Sequence, residues 1–468
     1  MMLFGKKPQA APKKTAAQYI LGISSCADGA AAAMLRDGKV LFSAFEPPPG
    51  PGCGASAFPA AAVATALEKA SEAEGEILGV KDMAAVAFCG KPQREYDRLR
   101  GEWLQAAPAG YGRFMETAPG AFNKRRLAGG LLAKELSAAS WGEKPARLLY
   151  PEHQLCCAAS AFYPSPFEDA AILSLDGPGE EACASISLGS GEKIKSLREL
   201  IYPDSPQALA GALTAYAGFG TESAWELFTA PPPADPARSE KFLAAMTGEL
   251  ANLREDGSLR LNKRYFRTAA GLKPDPARWR ELFGIPARAG GPLAGAHLDF
   301  AAAARTAIEE IVFRLGAQAK RLACSNNLCL CASPELKLAA EGKLKAAGLF
   351  SGTWSQPYSA PEGKASGAAL AARHIGLGMH RSTAYGARLG WGEVPEQVLP
   401  EETETPVKVS QAKPLAAGAR LFYSAYFWVA VAPKGLNRPR PASAQEAATS
   451  FYAVRSSIYS AEDLNGPA

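Results

Sequence analysis

Two Asp-Gly loops combine residue types and spacing that suit phosphate chemistry. Asp28 and Gly29 follow one short apolar run, and the segment Asp176-Gly177-Pro178-Gly179 follows another about 150 residues later. A loop of this kind between adjacent strands directs backbone N–H groups into a cleft, where they bind phosphate oxygens. The aspartate can orient a metal ion or a water molecule beside those oxygens. We therefore expect Asp28, Gly29, Gly177 and Gly179 to line the phosphates of a nucleotide, with Asp176 close to them.

The elements around these loops occur twice in the same order. The first unit contains strands predicted at 19–24, 31–35 and 40–45, and the second contains strands predicted at 171–175, 183–188 and 194–197. In each unit the loop separates the first two strands, and a tight turn that contains glycine separates the last two. Glycine suits such a turn because the turn needs a positive φ. Two such units that face each other across a cleft indicate an α/β fold of the duplicated actin-like ATPase type, found in actin, sugar kinases and heat-shock chaperone ATPases. The alternative is two unrelated hairpins with similar turns.

A later segment predicts the pocket for the adenosine of that nucleotide. The spacing of apolar residues predicts an amphipathic helix over 298–322, followed by a strand at 328–331 and a helix at 334–347. A fold of this type usually places the adenosine at the small-residue loop between such a strand and helix. We therefore expect Ala332 and Ser333 to contact the nucleotide.

Composition divides the chain into three parts. Residues 1–17 contain lysines without an apolar run and predict a flexible basic tail. The actin-like domain is expected over 18–395, with lobes of about 18–165 and 166–395. A polar, proline-bearing stretch begins near residue 396, so we assign 396–468 to a linker and a short C-terminal appendage.

The overall composition argues against several classes of protein. The chain has 468 residues and a net charge of +5, which is too mild and too dispersed for a nucleic-acid binder. Nine cysteines without a Cys-x-x-Cys pair argue against a secreted disulfide framework, and four histidines leave almost no room for a multi-histidine metal site. The longest strongly apolar run is about a dozen residues, too short to span a bilayer. We expect a cytoplasmic protein that binds neither nucleic acid nor membrane.

The chain resembles a known family most closely over residues 150–177. Tyr150-Pro151-Glu152-His153, the run 158–168 and the strand and loop at 170–177 follow the O-carbamoyltransferases that include the nodulation-factor, cephamycin and tobramycin enzymes. Further matches lie at 20–24, 261–266, 297–321, 342–350 and 367–370. The resemblance extends from about Tyr19 to His374, and by it the chain is identified as a divergent, C-terminally truncated member of that family.

This resemblance implies a two-part enzyme. In the family, an N-terminal domain similar to the tRNA threonylcarbamoyladenosine synthases has the actin-like fold, binds a divalent metal and a nucleotide, and passes a carbamoyl group to a substrate hydroxyl. A C-terminal domain makes carbamoyl-adenylate from carbamoyl phosphate and ATP. The implied cofactors are ATP and iron or zinc, or none where the sites are lost. The implied partners are a small-molecule substrate or an intact carbamoyltransferase paralogue.

The metal site that the resemblance implies has changed in this chain. His153 stands at the first histidine of the family's His-x-x-x-His pair, Cys157 stands at the second, and Pro361 stands at a late aspartate. His153, Cys157 and Asp176 could hold zinc with a water molecule, because zinc accepts mixed nitrogen, sulfur and oxygen ligands, and Glu362 could replace the lost carboxylate. The alternative is that Cys157 is a small buried residue of a helix that binds no metal.

Other motifs of the family are also eroded. The adenosine loop reads Ala332-Ser333-Pro334, without the glycines that let a backbone approach a nucleotide closely. The resemblance implies O-carbamoyl transfer to a small molecule from carbamoyl phosphate and ATP, with Asp176 and His153 near the reacting atoms. Two alternatives remain open. One is a degenerate, inactive member that binds a nucleotide or a partner, and the other is a half-enzyme that receives carbamoyl-adenylate from another protein.

Overall fold

Two mixed sheets form the two lobes of the molecule. The computed structural model describes residues 18–26, 29–46, 58–108, 110–140, 144–220, 223–267, 272–355, 360–381 and 453–454. Within these residues, the first lobe contains a five-stranded sheet and the second contains a six-stranded sheet with two short ribbons beside it.

Each of the seven strands that the sequence predicts overlaps a strand of the structure. The bounds of the strands are β1 (Tyr19–Cys26), β2 (Gly29–Arg36), β3 (Lys39–Glu46), β4 (Ala85–Phe88), β5 (Leu148–Leu149), β6 (Asp169–Leu175), β7 (Ala182–Ser190), β8 (Lys193–Ile201), β9 (Ala251–Leu253), β10 (Leu259–Leu261), β11 (Phe266–Arg267), β12 (Lys273–Pro274), β13 (Asn327–Ala332), β14 (Gly352–Ser355) and β15 (Ala453–Val454).

The helices cover the faces of the sheets and the space between them. Their bounds are α1 (Ala60–Glu74), α2 (Pro92–Ala106), α3 (Tyr111–Arg126), α4 (Leu132–Ala139), α5 (His153–Phe162), α6 (Pro206–Tyr216), α7 (Ala224–Phe228), α8 (Pro236–Ala244), α9 (Pro276–Phe283), α10 (Gly295–Ala323), α11 (Pro334–Ala339) and α12 (Ala360–Ala371). A π-helical turn extends several of them, at Leu127–Leu131, Ala245–Leu250, Ala340–Leu344 and Ala372–Gly376.

The first sheet has the strand order β3-β2-β1-β4-β5. β1 pairs antiparallel with β2 and parallel with β4. Asp37 and Gly38 take φ values of 52° and 87°, as the tight hairpin predicted from their residue types requires. Because β1 and β4 are parallel, Cys26 at the end of β1 and Cys89 after β4 lie at the same edge of the sheet.

The second sheet repeats this arrangement, with the order β14-β13-β6-β7-β8-β15. β6, β7 and β8 form an antiparallel meander like β1, β2 and β3. β13 runs parallel to β6 and β14 parallel to β13, as β4 and β5 do beside β1. The repeated order confirms the predicted duplicated actin-like α/β fold. β15, from the predicted appendage 396–468, pairs with β8; the rest of that appendage and the predicted tail 1–17 lie outside the described residues.

Two helices, α5 and α12, pack between the sheets. The core around them combines Ile20 and Ala87 of the first sheet with Ile172 and Cys329 of the second. α12 also packs directly on β1 and β2. In the chain, the first sheet ends at Leu149 and the second begins at Asp169, and α12, from the second half of the chain, packs on the sheet of the first lobe. The lobe bounds of about 18–165 and 166–395 stay a prediction.

The second lobe has its own aromatic core around α10. This helix confirms the amphipathic pattern predicted at 298–322, because Phe300 and Ile308 are fully buried on its inner face. The ring of Phe300 lies 5.1 Å from that of Tyr216 and 5.0 Å from that of Phe283. Among the described helices, none combines the length and the apolar character needed to cross a bilayer.

Candidate functional site

A cleft of about 400 Å³ lies where the carboxyl ends of β1, β4 and β6 meet. α5 contributes His153 from its first turn, α12 contributes Lys364, and α2 and α3 form the outer wall. The predicted site residues Asp176, Gly177 and Gly179 come from the loop after β6. Ligands of open α/β sheets bind at the carboxyl ends of the strands. The topology therefore brings His153 and the Asp176 loop to a position suited to ligand binding.

Asp176 forms a buried ion pair with Lys364 at the centre of this cleft. The Nζ atom of Lys364 lies 3.2 Å from Oδ2 of Asp176, and the side chains are 7% and 8% exposed. Burial acts to raise the pKa of Asp176, but the Lys364 ammonium and His153 outweigh it and hold that pKa below its usual value. Burial acts to lower the pKa of Lys364, but Asp176 and nearby thiols outweigh it and hold that pKa well above its usual value. Both groups are therefore charged at neutral pH.

His153 is held in one orientation by three contacts. Its Nε2 lies 3.1 Å from the carbonyl oxygen of Asp176, and because a carbonyl can only accept, Nε2 carries the proton. The ring also hydrogen-bonds the thiol of Cys89. The backbone N–H of His153 donates to the carboxylate of Glu180 at 3.2 Å, and the N–H of Lys91 donates to it at 2.7 Å. Glu180 thus ties the start of α5 to the loop after β4.

Several buried thiols surround this centre. Hydrogen bonds pair Cys89 with Cys156 and Cys157 with Cys331. The hydrogen bonds from Cys156 and His153 outweigh burial and lower the pKa of Cys89 to about 5. The hydrogen bond with Cys331, together with burial, raises the pKa of Cys157 well above its usual value. Cys89 is thus a thiolate that lines the cleft, whereas Cys157 keeps its proton.

The three residues predicted to hold a metal come together, but each of their ligand atoms is already engaged. Ligand atoms of His153, Cys157 and Asp176 lie within 4.8 Å of one another. His153 donates from Nε2 to a carbonyl, the Cys157 thiol is bonded to Cys331, and Asp176 pairs with Lys364. A bound divalent ion needs a thiolate and an unpaired carboxylate. The donor types suit zinc, but the ion pair of Asp176 with Lys364 does not fit a divalent metal while Lys364 is in place.

The glycines of the Asp176 loop line the cleft as predicted, yet their surroundings restrict them. The backbone N–H of Gly177 donates to Oε1 of Gln207 at 2.5 Å. A Cβ atom on Gly179 would lie 2.2 Å from Cβ of His153. Gly179 therefore permits the close packing of the loop on His153, and phosphate binding by these two glycines stays a prediction.

The remaining predicted nucleotide contacts are not among the residues that line the cleft or lie outside the described residues. Gly29 begins β2 opposite Cys26, and it is not among the residues that line the cleft. Asp28 lies outside the described residues. Ala332 pairs with Leu175 at the end of β13, and Ser333 precedes α11; neither lines the cleft. Contacts from Asp28, Gly29, Ala332 and Ser333 to a nucleotide remain predictions.

The start of α12 reaches Asp176 through Lys364, which the sequence analysis missed. The carbonyl of Pro361 accepts a hydrogen bond of 2.6 Å from Oγ of Ser24. Glu362 is buried, burial raises its pKa, and it does not join the group formed by Asp176 and the other candidate ligands. A single lysine in the small-residue run 363–369 is the sequence feature that could have identified Lys364.

The outer wall of the cleft carries paired charges and aromatic rings. Nζ of Lys124 lies 2.6 Å from the carboxylate of Glu95. Arg98 pairs with Glu102, and its guanidinium lies 4.9 Å from the centre of the Tyr202 ring. Convergent polar groups beside aromatic rings are typical of sites that bind small polar molecules.

Solved structures with a similar fold include sugar and gluconate kinases. The ROK hexokinase from Thermus thermophilus is 15% identical, with a TM-score of 0.30, over 75% of this chain and 97% of the kinase chain. The gluconate kinase from Lactobacillus acidophilus is 11% identical, with a TM-score of 0.32, over 80% of this chain and 92% of the kinase chain. At this similarity, neither kinase informs the chemistry of the cleft.

Similar sequences include an uncharacterised protein of Synechocystis sp., nodulation protein NolNO of Sinorhizobium fredii and nodulation protein NolO of Bradyrhizobium diazoefficiens. The identities are 31% over 395 residues, 29% over 242 residues and 27% over 218 residues, which cover 83%, 51% and 47% of this chain. The chain spans 62%, 34% and 37% of the lengths of these relatives.

The sequence profile described as "Carbamoyltransferase N-terminus" matches residues 19–370. That stretch contains His153, the Asp176 loop and Lys364, so it includes the centre of the cleft. It also covers the residues on which the sequence resemblance rests, from Tyr19 onward. The chain therefore belongs to the carbamoyltransferase family.

Proposed function

We propose that this chain is a carbamoyltransferase that passes a carbamoyl group from carbamoyl-adenylate, formed from carbamoyl phosphate and ATP, to a hydroxyl of a small molecule. Membership of the family supports carbamoyl transfer. The observation that carries the proposal is the convergence of His153, Asp176 and Lys364, from three separate segments, on one cleft of about 400 Å³. A cleft of that size accommodates a small organic ligand.

The two sides of the cleft suit the two substrates. The inner side, formed by the loops after β1, β4 and β6, presents the Lys364 ammonium, which suits the phosphate and carbonyl oxygens of the donor. The outer wall presents the paired side chains of Lys124 and Glu95 and of Arg98 and Glu102. These groups can donate hydrogen bonds to the hydroxyls of the acceptor substrate and accept hydrogen bonds from them.

The transfer forms one covalent bond and breaks another. The acceptor oxygen attacks the carbamoyl carbon, the bond from that carbon to the phosphate oxygen breaks, and AMP leaves. The hydroxyl proton passes to the hydrogen-bonded pair of Cys89 and His153, which lines the cleft. Asp176 stays ionised, and its carbonyl and carboxylate hold the His153 ring and the Lys364 ammonium in place.

Carbamoyl transfer from a radioactive donor tests this function. The full chain is incubated with [14C]carbamoyl phosphate, ATP, Mg²⁺ and a panel of sugars and polyols. A second arm adds an intact carbamoyltransferase paralogue whose own transfer site is disabled, so that it supplies only carbamoyl-adenylate. We expect label on a hydroxyl compound in at least one arm, together with AMP and pyrophosphate.

Two variants make the assay specific for the cleft. His153→Gln should lower the transfer rate by about 100-fold, because Cys89 loses the hydrogen-bonded histidine with which it accepts the proton. His297→Gln replaces a histidine outside the cleft and should transfer at the wild-type rate. Absence of label in both arms, or equal rates in wild type and His153→Gln, would contradict the proposal.

A second candidate is a nucleotide- or partner-binding member without turnover. The buried pair of Asp176 and Lys364 favours it, because the carboxylate is already neutralised and not free for a metal. This candidate predicts ATP binding by calorimetry in a protein that transfers no label in either arm.

A further inference from the structure

Lys364 is a buried lysine whose ammonium lies at the centre of the cleft. Its Nζ atom lies 3.2 Å from Oδ2 of Asp176 and 3.6 Å from the thiol of Cys26. A buried ammonium requires a partner of opposite charge, which Asp176 provides. An ammonium has three N–H donors, and these contacts with the described part of the chain use two of them. The third can serve a ligand, since Lys364 lines the cleft.

The packing of α12 fixes where this ammonium lies. A Cβ atom on Gly22 of β1 would lie 1.9 Å from the carbonyl oxygen of Ala365, the neighbour of Lys364. On the other side of the helix, a Cβ atom on Gly367 would lie 2.0 Å from a carbonyl oxygen of α5. The helix is held between β1 and α5 with no room to shift, so Lys364 enters the cleft from a rigid support.

The charges of Asp176 and Lys364 balance each other without a metal ion. Asp176 contributes one negative charge and Lys364 one positive charge, and the two charged atoms lie 3.2 Å apart. A divalent ion among Asp176, His153 and Cys157 would stand beside the fixed ammonium and would be repelled by it. Loss of the lysine charge removes that repulsion and frees the carboxylate.

We propose that Lys364 is the built-in cation of this cleft, and that its ammonium balances Asp176 where a divalent metal would otherwise lie among Asp176, His153 and Cys157. In the reaction, the ammonium donates an N–H to the carbonyl oxygen of the carbamoyl group, where negative charge develops as the acceptor attacks. The role in the reaction rests on the proposed function, whereas the replacement of the metal does not.

Metal content tests the first part of the proposal. The full chain and the Lys364→Asp variant are incubated with Zn²⁺ or Co²⁺ and desalted. Their metal content is then measured by inductively coupled plasma mass spectrometry. Wild type should retain less than about 0.1 metal per chain and Lys364→Asp about one, because the new carboxylate completes a set of four ligands. Adding His153→Ala to Lys364→Asp should remove that metal. Co²⁺ bound through Cys157 should show a thiolate charge-transfer band.

Two further variants keep this test decisive. Lys345→Asp makes the same change in charge at an exposed lysine and should retain no more metal than wild type. If Lys364→Asp fails to fold, Lys364→Met serves instead, because it removes the charge and keeps a side chain of similar length. Zn²⁺ should then raise the Tm of Lys364→Met but not that of wild type. A wild-type chain with one metal that His153→Ala removes would overturn the proposal. Folded Lys364 variants that bind no more metal than wild type would overturn it too.

Label transfer tests the second part. Lys364→Met should lower the rate of carbamoyl transfer by about 100-fold, as expected when a group that stabilises developing charge is lost. Equal rates in Lys364→Met and wild type would refute the role in the reaction. If wild type transfers no label but the metal results hold, the proposed function fails while the replacement of the metal stands.

Discussion

At the scale of single residues, the cleft depends on how tightly His153 is packed. Gly179 lies directly against its Cβ atom, and Glu180 holds its backbone N–H. The Asp176 carbonyl and the Cys89 thiol engage the ring. The loop after β6 therefore determines both the position of His153 and the atom that carries its proton.

A methyl group at position 179 should displace His153. In Gly179→Ala, the new Cβ atom would lie 2.2 Å from Cβ of His153, so the loop or the helix must move. We expect a free energy of unfolding lower by about 1–3 kcal/mol, as for other overpacked sites, and transfer activity reduced by at least about tenfold. Urea unfolding and the label assay measure the two effects.

The matched control is Gly101→Ala, in α2. A Cβ atom there meets nothing within 4 Å, and alanine is a better helix former than glycine by about 0.5–1 kcal/mol. This variant should be as stable as wild type or slightly more stable. If both glycine variants behave alike, the packing of Gly179 on His153 is not what holds the site.

At the scale of elements, α5 and α12 form the support shared by the two lobes. α5 begins at His153, and α12 carries Lys364 near its start. Small residues let the two helices approach each other closely at Gly367. The geometry of the cleft therefore follows from the packing of two helices rather than from its loops alone.

Enlarging Gly367 should separate the two helices. In Gly367→Ala, the new Cβ atom would lie 2.0 Å from the carbonyl oxygen of Cys156, a backbone atom that cannot rotate away. We expect a loss of about 1–3 kcal/mol or more in the free energy of unfolding, measured in urea. Gly112→Ala, in α3, meets nothing within 4 Å and serves as the control. A Gly367→Ala variant as stable as that control would argue against the close packing of α5 on α12.

The helical turn after α12 should make stability depend on pH. His374 donates from Nδ1 to the Met379 carbonyl at 2.9 Å, and its ring centre lies 4.3 Å from that of Tyr163. Burial, with the nearby Arg373 and Arg381, lowers the pKa of His374 from 6.5 to about 4.

Because the folded state holds this histidine neutral, its contribution is fully present above pH 6.5 and is lost as the pH falls towards 4. The shift corresponds to at most about 3 kcal/mol. His374→Gln should reduce the fall in the free energy of unfolding between pH 6.5 and pH 4, measured by urea unfolding at several pH values. The same slope in wild type and in this variant would show that His374 is not the group responsible.

At the scale of the whole molecule, local patterns predicted the strands and the duplication. The turn at Asp37-Gly38 and the apolar runs beside it determine a hairpin through nearest neighbours alone, so β1, β2 and β3 were predicted to within two residues. The same holds for β6 in the second lobe. Clustering of His153 with Asp176 was anticipated through the family resemblance, and the structure brings the two together.

The contacts that define the centre of the cleft could not be read in this way. Lys364 and Asp176 are far apart in the chain, and only the packing of α12 between the sheets brings them together. Gly29 begins β2 opposite Cys26, and its expected contact with the phosphates stays a prediction. The position of Lys364 depends on tertiary packing, which spacing along the chain does not specify.

We expect the cleft around His153 and Lys364 to bind an activated carbamoyl donor. Isothermal titration calorimetry of the full chain with a stable sulfamoyl analogue of carbamoyl-adenylate tests it most directly. We predict one site per chain with a Kd that rises at least about tenfold in His153→Gln and in Lys364→Met, or about 1.4 kcal/mol, and stays unchanged in Lys345→Asp. Absence of binding, or equal affinity in wild type and both cleft variants, would contradict the account.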